Sequence, residues 1–402
     1  MALAVHVART PEALAELRDA WLALKPASID ALPDVFDAVL AGRDEVAGPY
    51  VVVAQDEATG APVALAVARI EERTAEARFG YATVHRARLR TLTLVHGGVV
   101  GDPGDDAVPA LTRALVAAVD GGEADAVFFH KLALDSPLHR AVLAATPPRR
   151  RQRFLAVDRH WTRELPDDFD AFMKSLRRRK HLKYYARRLD KEYGDRLTIT
   201  RLHRPEDLDT LLADVEAVAC RTYQRGLDAG FHAERDRAIV RAGLAAGRYN
   251  AWVLAIDGAP VAFEYGELLD GTYHLGGKGY VPELADKSLG NYVALKVLAE
   301  LIGGGEAQRI DFGFGDADYK RSFGDEGWDE ADLTVYAARP RPLAINALHS
   351  AIVGADRGAR RVAGKERVAK VKSLWRSRRV PTADADATGA ATATAVPARS
   401  NG

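Results

Sequence analysis

The sequence predicts an α/β protein with a mixed α+β sheet, built from two copies of one unit in tandem. Two observations carry this. The run Gly60-Ala61-Pro62-Val63-Ala64 recurs as Gly258-Ala259-Pro260-Val261-Ala262. Each copy lies between strand-like runs (50–54 and 63–68, then 251–256 and 261–267) that read as a hairpin with a short turn. Further on, Gly97-Gly98, a loop, a helix and Gly121-Gly122-Glu123 are matched by Gly276-Gly277, a loop, a helix and Gly304-Gly305-Glu306. A short apolar strand follows in both halves, at 126–129 and 309–312. Composition alone could produce any one match, but the shared order of hairpin, strand, loop, helix and strand points to duplication.

The bulk numbers fit this reading. The 402 residues allow two or three domains, and 48% hydrophobic with 28% charged residues suits a chain with a real core. Lys+Arg and Asp+Glu balance at 56 each, which argues against a dedicated nucleic-acid binder and against DNA as a partner. A single cysteine, Cys220, excludes a disulfide framework, points to a reducing compartment and reads as a small core residue. No leader or membrane-spanning run is evident, so the expected location is cytoplasmic, with peripheral contact at the inner face of the membrane as a further option. The histidines are scattered without zinc-ligand spacing, and no metal is expected.

The expected organisation is a first unit over 1–148, a basic bridge over 149–195, a second unit over 196–340, a basic helical region over 341–380 and a disordered tail over 381–402. In the bridge, Asp167 and Asp168 follow Pro166 and can cap one helix running to about Tyr193, where Gly194 stops it. That helix carries Arg177, Arg178, Arg179, Lys180, Lys183, Arg187, Arg188 and Lys191. A second helix, about 205–225, shows an apolar stripe through Leu208, Leu211, Leu212, Val215, Val218 and Ala219. The C-terminal region reads as a helix broken or bent near Gly354, Gly358 and Gly364. Over 357–379 it holds ten Lys/Arg against the single Glu366. The tail lacks large apolar groups that could offset its ordering entropy.

The densest signal lies at 311–323, DFGFGDADYKRSF. A buried strand feeds a turn with two glycines, and Asp316, Asp318, Tyr319, Lys320 and Arg321 then arrive together. The Asp311-Phe312-Gly313 triplet mimics a kinase magnesium motif, but the catalytic loop and lysine strand of kinases are absent, as is a Walker-type phosphate loop.

In the second half the order is hairpin, strand (272–278), loop (279–287), helix (288–302), strand (309–314), short helix (318–323) and strand (332–337). This order resembles the GNAT acyltransferase fold. The segment Gly315-Asp316-Ala317-Asp318-Tyr319-Lys320-Arg321-Ser322-Phe323-Gly324 resembles the signature of the FemAB-like and CelD-like N-acyltransferases, which are tandem GNAT proteins with a basic helix before the second unit. The resemblance covers about 153–338. It implies two GNAT-like domains, the first degenerate, and an N-acyltransferase that moves an activated acyl group to an amine acceptor, such as a cell-envelope sugar or peptide precursor. Acyl-CoA is the co-substrate it implies first, with aminoacyl-tRNA as the alternative and no permanently bound cofactor.

Acyl transfer needs a phosphate cradle, an oxyanion donor and a route for the amine proton. The helix start at Ser288, Leu289, Gly290 and Asn291, with Lys278 and Lys287 nearby, is the candidate cradle. It departs from the usual GNAT loop, and Glu283 and Asp286 stand in it. The corresponding first-half loop at 99–108 holds three aspartates and no Lys or Arg, so one working site is expected, in the second half. The resemblance puts Tyr319 where many GNAT enzymes keep a tyrosine that protonates the leaving thiolate, with Lys320 for the oxyanion or donor phosphate and Asp316 beside them. Glu264 and His274 are candidate bases, with Glu267 a near competitor for Glu264. Arg221, Tyr223 and Arg225 are candidate acceptor contacts. Asp311 needs a partner within the buried strand, with Arg309 and Lys320 as options. The competing reading is non-catalytic: a peripheral membrane or envelope-assembly protein with a degenerate fold, held to anionic lipid by 357–379.

Overall fold

The computed structural model describes residues 2–80, 82–101, 104–222, 225, 230–315 and 317–377, with side chains for all of these except 104, 105 and 362–377. Tyr223, Asp316 and the tail 381–402 lie outside the described residues.

The first unit runs β1 (Leu3–Ala8), α1 (Pro11–Ala23), α2 (Pro33–Gly42), β2 (Val46–Asp56), β3 (Pro62–Phe79), β4 (Ala82–Gly101), α3 (Gly104–Asp120), β5 (Ala126–Ala133), α4 (Pro137–Ala145) and β6 (Val157–Glu164). Two bridging helices follow, α5 (Phe169–Ser175) and α6 (Arg179–Tyr193). The second unit repeats the order with β7 (Leu197–Leu202), α7 (Leu208–Ala219), α8 (Ala233–Ala245), β8 (Tyr249–Ile256), β9 (Ala259–Leu269), β10 (Thr272–Tyr280), α9 (Leu289–Gly303), β11 (Arg309–Phe314), α10 (Asp318–Phe323) and β12 (Glu326–Tyr336). Helix α11 (Pro340–Ser377) closes the chain. The duplicated hairpin turns are real: Gly60 and Gly258 share a left-handed backbone, with φ of 70° and 78°.

All strands join one sheet in the order β1-β2-β3-β4-β5-β12-β6-β11-β10-β9-β8-β7. The last strand of each unit is exchanged. β12 leaves the second unit to pair with β5, and β6 leaves the first to pair with β11. The two exchanged strands pair antiparallel with each other, Glu326 opposite Thr162 through Ala331 opposite Val157. A pseudo-twofold relation thus runs between β6 and β12. One face of the first half packs Trp21, Phe36, Val51, Val53, Leu65 and Val67 beneath α1 and α2. The other packs Val52, Ala54, Ala66, Leu111 and Leu115 beneath α3. Equivalent helices α2 and α8 meet across the pseudo-twofold, where a Cβ on Gly42 would stand 3.3 Å from that of Ala238. Arg248 bonds Asp34 at 2.7 Å across the same junction.

Several sequence readings are corrected. The bridge holds two helices rather than one. Asp168 caps the first through the Ala171 N–H at 2.8 Å, but Leu176 is extended and buried, and its burial in the core breaks the run before α6 starts. The helix read at 205–225 ends at Ala219, and α8 was not foreseen. Cys220 is exposed. β3 and β4 continue far past the read hairpin as a long two-stranded ribbon whose alternating burial is set by one covered face. Helix α11 passes through Gly354 and Gly358 without a break. Glycine costs a helix about 1 kcal/mol each, and docking offsets this: Asn346 donates to the Arg149 and Arg151 carbonyls, and Asp356 accepts from the Gly80 N–H. No helix among the described residues is long and apolar enough to cross a membrane.

Candidate active site

β10 and β11 run parallel but pair over only three positions, Thr272 to Arg309, Tyr273 to Ile310 and His274 to Asp311. Beyond that point both strands continue and part from each other. β10 also carries a bulge between Leu275 and Gly277 on its other edge, against Gly266 and Tyr265 of β9. Gly276 is the extra residue and has no partner across the ladder. Glycine is required there, because a Cβ would stand 2.6 Å from the Tyr265 ring.

The bulge changes which side of the sheet each side chain meets. Four residues apart on a regular strand, His274 and Lys278 would share a face. With one residue inserted, His274 stands opposite Glu267 and Lys278 opposite Glu264. Glu264 and Glu267 are three apart on β9, hence on opposite faces. Both carboxylates are buried, at 2% and 6% exposure.

On one face lies a cleft of about 610 Å³ between the two units, roofed by α2 and α8. His96, His160, Glu267, His274, Asp311 and Phe314 are among its lining residues. Asp311 is satisfied here, by groups other than the Arg309 and Lys320 that the sequence suggested. His160 Nε2 donates to it at 2.7 Å, the Gly313 N–H at 2.6 Å, and His274 Nδ1 stands 3.4 Å away. Arg309 turns instead to Glu164. Burial opposes charge on Asp311, but the hydrogen bonds and charges of His160 and His274 outweigh it and hold the carboxyl well below its usual range. On His160 burial likewise opposes charge, yet bonds to Asp311 and Glu330 raise the imidazole to about 9. Nδ1 of His160 meets Glu330 at 3.0 Å, and its ring stacks on Trp328 with centroids 4.3 Å apart. Glu267 is pushed up to about 7 by burial, with Arg248 Nε at 3.3 Å opposing.

On the other face, Glu264 and Lys278 form a cross-strand pair. Burial pushes the Glu264 carboxyl up, opposed by Lys278, and lowers the Lys278 ammonium, opposed by Glu264. Oε2 of Glu264 and the hydroxyl of Tyr273 are buried without a hydrogen-bond partner. The Lys278 ammonium lies 3.2 Å from the centre of the Tyr319 ring. Lys320 is buried at 9% exposure and donates to the Phe314 carbonyl at 2.6 Å, so it braces the turn that ends β11. Burial lowers its ammonium to about 8. The surface ion pair of this helix is made by Arg321 with Asp318, at 2.5 Å.

The remaining sequence candidates lie around this centre. Ser288 holds a left-handed backbone at the start of α9, and Asn291 Nδ2 donates to its Oγ at 3.0 Å, with Leu289 buried and Gly290 against the Tyr280 ring. Lys287 pairs with Glu192 at 2.5 Å, and Tyr292 donates to Asp190 at 2.7 Å. These bonds tie α6 to α9 and the loop before it, and α6 also carries a groove of about 600 Å³ lined by Lys180, Lys183, Tyr184, Arg187, Arg188 and Lys191. Arg221 pairs with Glu283 of that loop at 3.0 Å. Arg225 is committed to Glu216 and the Phe231 carbonyl, which fastens the chain entering α8.

Residues 176–321 match the model of the acetyltransferase (GNAT) domain. Among solved structures, the chain is similar to FemX, with 12% identity and a TM-score of 0.55 over 86% of this chain and 100% of that one. It is similar to a tandem GNAT protein from the clavulanic acid biosynthesis pathway, with 13% identity and a TM-score of 0.51 over 84% of this chain and 100% of that one. The chain has a tandem GNAT fold. A third structure with this fold is the C-terminal domain of a putative lysylphosphatidylglycerol synthetase from Agrobacterium fabrum, at 12% identity and a TM-score of 0.50, covering 85% of this chain and 97% of that one. No curated protein matches the chain. Within the tandem GNAT fold, the matched domain contains the β10–β11 opening, the loop before α9 and the Tyr319 helix, while His96, His160 and Glu330 fall outside it.

The local signals at 311–323 made Tyr319, Lys320 and Asp311 visible in sequence. Gly276 had a weaker signal: a Gly-Gly pair inside a strand marks a bulge. His160, His96 and Glu330 had none, because strand exchange brings them together from distant segments.

Proposed function

We propose that the protein is an N-acyltransferase that takes an acyl thioester through the β10–β11 opening and passes the acyl group to an amine bound in the cleft between the units. The carrying observation is the opening itself: two parallel strands that part after three pairs, with His274 and Asp311 at the apex and Lys278 and Tyr319 farther along on the opposite face. The slender amide-bearing arm of an acyl-CoA thioester, laid in this gap, can hydrogen-bond to strand edges, and its two ends reach the two faces.

In this reading the amine nitrogen attacks the acyl carbon, the new C–N bond forms and the C–S bond breaks. His274, oriented by Asp311, takes the amine proton on the cleft side. The Gly276 N–H, at the bulge, is the donor this reading assigns to the developing oxyanion. Tyr319 gives a proton to the departing thiolate, with Lys278 over its ring. Lys320 is a positioning residue through the Phe314 carbonyl, and Glu264 acts through Lys278. The acceptor is an amine small enough for the cleft, with a cell-envelope sugar or peptide precursor as the class to examine first. Assays of thiol release from a panel of acyl-CoAs with amine acceptors test this. Turnover that needs both substrates supports it, and no turnover with any pair counts against it.

A second reading replaces the thioester by an aminoacyl-tRNA, and the basic α6 groove beside the donor loop favours it. Phosphate contacts there would make binding fall steeply with salt. A shift assay with charged tRNA at two salt concentrations separates the donors.

A further inference from the structure

We propose that His96, His160 and Glu330 form a binding site for one divalent transition-metal ion of the zinc class, at the seam between the two units. Among the described residues, these three donors lie within 4.8 Å of one another. They come from β4, β6 and β12, so only the strand exchange assembles them. Zinc bonds of about 2.0–2.1 Å to nitrogen or oxygen place neighbouring tetrahedral ligands roughly 3.3 Å apart. Here His160 Nδ1 is 3.0 Å from Glu330 Oε2, close to that spacing, and His96 Nε2 is 3.7 Å from the other oxygen of the same carboxylate, Oε1.

The surroundings resemble those that orient metal ligands. A ligating imidazole commonly gives its second nitrogen to a carboxylate or hydroxyl, which fixes its tautomer. His160 Nε2 bonds Asp311 at 2.7 Å, and His96 Nδ1 lies 3.4 Å from Ser28 Oγ. Glu330 Oε1 accepts from Trp328 Nε1 at 2.6 Å, leaving Oε2 for the ion. Every proposed ligand therefore has its other polar atom held by a named partner.

Charge points the same way. Asp311 and Glu330 are two carboxylates on either side of the His160 imidazole, and buried charges need close compensation. A divalent ion that displaces the Nδ1 proton of His160 brings two positive charges in place of one. The two-imidazole, one-carboxylate donor set suits zinc over magnesium or calcium, which prefer oxygen. Since His96 and His160 line the cleft, a ligand position open to it would accept an oxygen of the bound acceptor. The ion would also join the first unit's β4 to the exchanged strand pair.

Untagged full-length protein, stripped with EDTA, is titrated with zinc(II) alone by calorimetry. The expected result is saturable binding of about one ion per chain. Glu330→Gln and His96→Gln should each weaken binding by at least about 100-fold, and Trp328→Phe by roughly 10- to 100-fold through loss of the bond that orients Glu330. His349→Gln, at the separate His85–His349 contact, should bind like the parent. His96 and Trp328 are the more exposed positions, so their variants decide the matter if Glu330→Gln does not fold. Absence of saturable binding, or parental affinity in folded His96→Gln and Trp328→Phe, overturns the proposal.

Discussion

Glu264 and Lys278 stand directly opposite each other on β9 and β10, just past the bulge that turns Lys278 away from the cleft. The carboxylate is buried at 2% exposure, and the ammonium reaches the face of the Tyr319 ring. One inserted residue therefore decides that the ammonium meets the Tyr319 ring while His274 faces the cleft.

Removing one member of this pair should harm the fold more than removing both. Lys278→Met leaves a buried carboxylate without its counter-charge, at a cost of about 3–5 kcal/mol, whereas Lys278→Met combined with Glu264→Gln should recover much of that loss. Urea unfolding of the parent, both single variants and the double variant measures the coupling. Additive losses would remove the pair from the account.

Tyr319→Phe keeps the ring beneath the Lys278 ammonium and deletes only the proton donor. The expected outcome is a fall in kcat of about 10²–10⁴-fold with little change in the KM for the donor. Steady-state kinetics with the acyl donor found by screening checks this. An unchanged kcat would take the thiolate proton away from Tyr319.

Glu267 gives a pH signature. Burial raises its folded carboxyl to about 7, above its ordinary value of 4.5 in the unfolded chain. The folded state therefore holds this proton more tightly. Its contribution to stability is fully present below about pH 4.5 and is lost as pH rises through about 7. Glu267→Gln should remove that dependence, so the stability difference between parent and variant should change across this window and level off above it. Unfolding free energies at several pH values read it directly. A pH-independent difference would contradict the assignment.

Arg248 links Asp34 of the first unit to Glu267 of the second. Asp34→Asn should lower stability by about 1.5–3 kcal/mol, the range for hydrogen bonds to charged groups. Differential unfolding of this variant tests how firmly α2 and α8 are joined across the cleft.

Much of the second unit was legible because its signals are local. The strand at 309–314 and the helix at 318–323 end where the sequence punctuates them with Gly315 and Gly324. The duplicated turns at Gly60 and Gly258 were legible for the same reason. The exchange of β6 and β12 was not, since nothing in an isolated strand says which neighbour it will take. The partners of Asp311 were hidden with it: His160 precedes Asp311 by 151 residues and reaches it only after β6 crosses to the second unit. The bulge at Gly276 shows the other limit. A regular two-residue alternation puts His274 and Lys278 on one face, and a single unpaired glycine reverses that.

The asymmetry between the halves is the central claim, and it can be read without knowing the acceptor. Backbone hydrogen exchange of the full chain, with and without a saturating acyl-CoA, reports where the donor lies. The expected result is added protection at 275–290 and 311–320, with 95–101 and 129–133 unchanged. Protection confined to the first-half segments, or to neither half, would contradict the account.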